Sequence, residues 1–228
     1  LSLGVKRIIR EQIDKSVRGL EDPDDRDEVV HDVRKRLKKM RAALRLVRLE
    51  IGEDVYKPEN ICYRDAGRRL APVRESFVMV ETLDMLLDRF EDQLDREAYQ
   101  PLRERLLKRH AASVDQVLDN EQAMDKVLDT LRKARKRVAD LPIEATGVDA
   151  FHGGLRKVYK RGHNRLADAY DDPSVSAFHE WRKRVKYLWY HERILENVWA
   201  PILDELQEET HDLSDYLGDA HDLAQQPL

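Results

Sequence analysis

A single cysteine, Cys62, excludes an intrachain disulfide framework and fits a reducing cytoplasm. Nine glycines and eight prolines in 228 residues leave little turn material, so the elements must be long. Aromatics make up 7% of the chain, too few to suggest a platform for stacking bases. No apolar run approaches the roughly 20 residues that a bilayer requires; the stretch Phe77–Val80 is typical in length. No charged-then-apolar leader opens the chain. These absences lead to the expectation of a cytoplasmic protein with no membrane anchor.

What is present is charge and helix formers. Charged residues make up 38% and hydrophobic residues 41%, which is too apolar and too patterned for a disordered chain. Leu, Arg, Glu, Lys and Ala all favour helix. The net charge of −4 and pI near 6.1 argue against a nucleic-acid protein if averaged over the chain. A polyanion responds to local potential, however, so the placement of the 41 basic residues matters more than their sum.

Apolar periodicity predicts helices over 3–20, 26–51, 60–91 with a break at Pro72, 96–118, 121–140, 148–170, 175–198 and 202–224. Gly52 to Pro58 reads as a loop, and Leu141-Pro142 to Gly147 as a linker. Nothing alternates like a strand. The expected fold is all-α: two pseudo-symmetric antiparallel helical bundles, residues 1–142 and 143–228.

The halves are linked by an internal repeat. His31-Asp32-Val33-Arg34-Lys35-Arg36-Leu37-Lys38 returns as His179-Glu180-Trp181-Arg182-Lys183-Arg184-Val185-Lys186. A weaker match pairs Leu70–Glu75 with Leu217–Asp222 at nearly the same offset. No counterpart of residues 96–140 follows in the second half, so the second bundle is expected to be incomplete or truncated.

On a helical wheel, His31, Arg34, Lys35, Lys38, Arg41 and Arg45 share one sector, and Val33, Leu37, Met40, Leu44, Val47 and Ile51 share another. The second copy places His179, Arg182, Lys183, Lys186, Tyr190 and Arg193 in the basic sector, with Trp181, Val185, Leu188, Leu195 and Trp199 in the core sector. The basic stripe borders the core stripe and can therefore line a cleft between helices. Like charges at i, i+3 and i+4 repel by a few tenths of a kcal/mol per pair, so such a stripe favours a negative ligand. Arg forks match phosphate oxygens, Lys adds point charge, and each stripe begins with a histidine. The bland alternative is a solvated stripe, or one paired with acids such as Asp84, Asp88, Glu91, Asp92 and Asp95.

The two His-x-x-Arg-Lys-Arg-[Leu/Val]-Lys helices resemble the paired signatures of the CHAD domain, a histidine-bearing α-helical domain. Tyr63-Arg64-Asp65-Ala66-Gly67-Arg68-Arg69-Leu70-Ala71-Pro72-Val73-Arg74-Glu75 is similar to that family's second helix, and Tyr159-Lys160-Arg161 also fits its pattern. The resemblance implies two helical bundles around a basic cavity that binds inorganic polyphosphate, or phosphate and sulfate ions, in some members at polyphosphate granules. Carried over by position, the binding set is His31, Arg34, Lys35, Lys38, Arg41, Arg45 and Arg74, with Arg161, His179, Arg182, Lys183, Lys186, Tyr190 and His221. Trp189 stands where the first copy has Arg41, and His221 where it has Arg74.

No nucleophile constellation, phosphate loop or paired acid/base carboxylates accompany the stripes, so binding without catalysis and without a cofactor is expected. Two rivals remain. His31-Asp32, His211-Asp212, His221-Asp222 and the Glu-x-x-His pairs ending at His31 and His211 would suit a metal-dependent phosphohydrolase or a di-metal bundle, but Arg34 and Lys35 would repel a cation beside His31. Nucleic-acid backbone binding would use the same stripe.

Overall fold

The computed structural model describes residues 2–198 and 200–224, apart from the side chains of residues 2, 3, 221 and 222. Among them it is all-α: α1 Ser2–Glu21, α2 Arg26–Leu46, α3 Arg48–Ile51, α4 Glu53–Arg69, α5 Ala71–Arg89, α6 Arg96–Val114, α7 Ala123–Val138, α8 His152–Asp171, α9 Val175–Leu195 and α10 Ala200–Ala224. A π-helical turn, Asp115–Asn120, follows α6, and a 3₁₀ turn, Glu196–Val198, follows α9.

Caps set several starts. The Asp25 carboxylate accepts from the backbone N–H groups of Asp27 and Glu28, and Ser174 Oγ accepts from Ala177 N–H, so both signature helices open on a side-chain cap. The expected loop from Gly52 to Pro58 is instead the first turns of α4. Gly52, at φ +74°, makes the turn itself, and Glu53 and Asp54 suit the positive end of the new helix. Arg48 pairs with Glu53 across that turn. Pro72 sits in the first turn of α5, where its missing N–H costs nothing. The helix expected over 26–51 is broken at Val47 into α2 and α3.

α1, α2, α4 and α7 pack around the main core, in which Ile9, Val30, Val33, Met40, Leu44, Leu70 and Leu131 are fully buried. α5 and α6 form a hairpin with its own small core of Val80, Leu83, Leu87 and Leu106. His110 ties that hairpin to α2, with Nε2 2.9 Å from Asp27 and Nδ1 3.1 Å from Ser76 Oγ. α8, α9 and α10 form the smaller second group.

The groups meet where α2 packs against α9. Ala42 contacts Trp189 and Tyr190, and the buried His191 donates from Nε2 to the Ala42 carbonyl at 2.9 Å. α8 closes the far end of α2 through Gly154, where a Cβ would overlap the backbone carbonyl of Leu46. In α9, Val185 and Leu195 are buried as the core stripe requires, and Trp181 and Leu188 are half-buried. Trp199 lies outside the described residues.

Candidate functional site

α2 and α9 lie side by side with both basic stripes facing the same space. That space is two adjoining chambers of about 520 and 900 Å³. Arg34, Lys38, Glu75, His179, Arg182, Lys186 and Tyr190 line both, so the chambers form one cleft with a shared waist. The smaller chamber adds Arg41, Arg45 and Lys183, and the larger adds His31, Lys35 and Arg74. The structure thus gathers these site candidates from both halves of the sequence.

Two candidates fall elsewhere. Arg161 is exposed on α8, and no residue of α8 lines either chamber, because α8 packs along α9 and the end of α2 outside the cleft. This corrects the placement drawn from the family pattern. His221 is in α10, but its side chain lies outside the described residues.

Four of the cleft arginines are held by neutral oxygens, whereas Arg74 pairs with Glu81 at 2.8 Å and Arg64 with Asp65 at 2.7 Å. Arg34 donates to the Gly67 carbonyl, Arg41 Nε to Asn60 Oδ1 at 3.1 Å, Arg45 Nη1 to the Arg41 carbonyl at 2.8 Å, and Arg182 Nε to the Ser214 carbonyl at 3.3 Å. A carbonyl positions a guanidinium without cancelling its charge. Away from the cleft, arginines also pair with acids: Arg103 with Asp84, Arg26 with Asp119, Arg135 with Asp14. Asp84 and Asp88, which could have neutralised the stripe, are engaged by Arg103 and Arg96 of the hairpin. Among the described residues, only two carboxylates line the cleft, Glu75 and Glu180. Glu180 is paired with Lys183 and Arg184 of its own helix.

Confinement shifts the site's protonation. Burial, followed by Arg74 and Lys35, lowers the His31 pKa below its ordinary value, so its window for gaining charge moves to more acid pH. Burial also lowers Arg34 and Arg45, which remain charged. Lys38 reaches the open interior of the cleft, but protein surrounds it on the other sides. That enclosure, then the charges of Arg34, Lys186, Arg182 and Arg74, lowers its pKa to about 8.

The sequence did not single out Arg64, Arg68, Arg184, Tyr187 and Arg109 as lining, nor His211. Arg64 and Arg68 stand one turn apart on α4 within the family-like run, a spacing that could have marked them. The aromatic rings at the cleft are already occupied. Arg45 stacks on Tyr187 at 3.9 Å, and Trp189 is contacted by Lys186, Arg193 and the edge of His211. Tyr190 is buried, and its hydroxyl has no hydrogen-bond partner in the protein. Among the described residues, no three His, Cys, Asp or Glu side chains converge as a metal-ligand set.

The family model described as CHAD domain matches residues 7–227. No curated protein matches the chain.

Proposed function

The chain belongs to the CHAD-domain family, and from that premise we propose that its cleft captures inorganic polyphosphate without turning it over. The observation that carries the reading is the way the cleft arginines are held. Four guanidinium groups from both repeats are fixed by carbonyl or amide oxygens and form no ion pair among the described residues, although Glu75 stands near Arg34. A linear polyanion supplies a phosphate oxygen for each, and releases its counterions on doing so. Phosphate is the single-unit relative of that polyanion, and sulfate is a tetrahedral oxyanion of similar shape.

A nucleic-acid backbone is the second reading. The occupied faces of Tyr187 and Trp189 leave no platform for bases, which favours a ligand made of phosphate alone. Capture is favoured over hydrolysis because, of the two carboxylates that line the cleft, Glu180 is tied to Lys183 and Arg184, which leaves Glu75 without a free acid/base partner. The metal-dependent rival would need a converging donor set, which the described residues do not offer. No described helix is long and apolar enough to cross a membrane; in our reading the protein works in the cytoplasm, at polyphosphate granules where these exist.

The test is competition. Long-chain polyphosphate bound to the chain should resist displacement by single-stranded nucleic acid at equal phosphate concentration, and its affinity should fall steeply with salt. Ready displacement, or an affinity indifferent to salt between low and physiological ionic strength, would overturn the reading.

A further inference from the structure

The waist of the cleft carries a feature that binding alone does not require. Lys38 stands there among cations of α2, α4, α5 and α9, and Arg109 of α6 and His211 of α10 line the larger chamber. Arg34 and Arg41 flank it one turn away on α2. Arg182 and Lys186 approach from α9 together with His179, and Arg74 approaches from α5. Arg64 of α4 lines the same chamber. Against these stand Glu75 of α5, Glu81 of α5, which pairs with Arg74 at 2.8 Å, and Asp215 of α10, 4.0 Å from the ammonium group of Lys186. Among the described residues, no carboxylate forms an ion pair with Lys38 itself. An arginine at this position would have to stay charged, whereas a lysine under such repulsion can release its proton. Enclosure and the charges of Arg34, Lys186, Arg182 and Arg74 bring its pKa to about 8, so the empty cleft holds a mixture of charged and neutral Lys38 near neutral to mildly alkaline pH.

We propose that capture of a polyanion at this waist is coupled to uptake of a proton by Lys38. The inference rests on the polyphosphate reading of the cleft. Phosphate oxygens arriving among Arg34, Arg182 and Lys186 offset the repulsion that favoured the neutral amine. The ammonium form then gains a direct partner, and the proton is drawn from solvent. The cleft thereby carries its full charge when occupied and less when empty. This relieves the like-charge repulsion of the empty state and makes affinity decline as pH rises above neutrality.

The experiment is calorimetric titration of the chain with long-chain polyphosphate at pH 8, in HEPES and in Tris, whose ionisation enthalpies differ. The expected result is a buffer-dependent enthalpy corresponding to about half a proton taken up per chain, and an affinity that falls by about tenfold between pH 7 and 9. Lys38→Arg keeps the charge and should bind with no buffer dependence assignable to this site and a flatter pH profile. The variant corrects for any share that histidines or the terminal phosphates take. Binding with buffer-independent enthalpy in the parent, or uptake unchanged in Lys38→Arg, overturns the proton coupling and leaves the polyphosphate reading standing. Absence of polyphosphate binding overturns that reading and the inference with it.

Discussion

His191 and Glu192 are neighbours in α9, both buried, with opposite titration consequences. Burial lowers His191 to about 4, although its bond to the Ala42 carbonyl pulls the other way. Its contribution to stability is present above pH 6.5 and is lost as pH falls through 4. Burial raises Glu192 to about 7 against a bond from Thr210. The neutral acid is the form that the fold accommodates, so its contribution is full below the ordinary value near 4.5 and is lost as pH rises through 7. Between pH 5 and 8 the two trends oppose each other. Glu192→Gln should therefore expose the histidine: the difference in urea unfolding free energy between parent and variant should change by roughly 2–3 kcal/mol from pH 5 to pH 8. A pH-independent difference would mean that Glu192 is not held neutral. Tyr190 makes a second residue-scale case. Its hydroxyl is buried at the waist without a protein partner. Tyr190→Phe should leave thermal stability unchanged or slightly raised, and should weaken polyphosphate binding by a few-fold, up to about tenfold, as for one lost hydrogen bond. A variant that loses stability and keeps its affinity would show the hydroxyl to be structural.

At the scale of elements, the signature helices were legible because two signals coincide in them. A capping residue, Asp25 or Ser174, precedes an apolar period, and the basic stripe runs in register with that period. The helix α4 was misjudged at its start because Gly-x-x-x-x-x-Pro reads as a loop. Here the acids after Gly52 and the Arg48–Glu53 pair outweigh Pro58, which lies in the second turn and removes one helical hydrogen bond. The contribution of α4 to the cleft was also hidden. Whether Arg64 and Arg68 face α9 depends on how α4 crosses α2, and no local pattern encodes a crossing angle. The joint between α8 and α2 is similarly tertiary, and its two adjacent glycines separate cleanly. A Cβ on Gly154 meets the carbonyls of Arg45 and Leu46, which cannot move without moving α2. A Cβ on Gly153 meets only the side chain of Leu49, which is 62% exposed and free to swing aside. Gly154→Ala should cost about 1–3 kcal/mol or more in thermal or urea unfolding, while Gly153→Ala should cost well under 1 kcal/mol. Equal effects would mean that α8 does not seat on the end of α2 as described.

For the whole molecule, the charge of −4 conceals a segregation of sign. The described part of α10 carries no Lys or Arg, whereas the cleft wall a few ångströms away is built from both basic stripes. The sequence pattern showed that each stripe borders a core face, and hence that each could line a cleft. That both line the same cleft follows only from the packing of α2 against α9, a contact between residues almost 150 positions apart. The balance between the halves is also a property of packing. Lys183 and Arg184 share the cleft wall with Glu180, which offsets part of their charge. Arg41 and Arg45 are held by an amide and a carbonyl and retain theirs. The first half should therefore dominate the electrostatic part of binding even though both halves contribute lining. Replacing Arg41 and Arg45 together by Gln should weaken polyphosphate binding more than replacing Lys183 and Arg184 together. It should also flatten the slope of log affinity against log salt by about 1.5, near 0.7–0.9 for each phosphate contact removed. Circular dichroism on both variants separates loss of charge from loss of fold, since Arg45 also packs on Tyr187. Equal losses of affinity and slope from the two folded variants would mean that Glu180 does not offset its neighbours and that the halves share the ligand evenly.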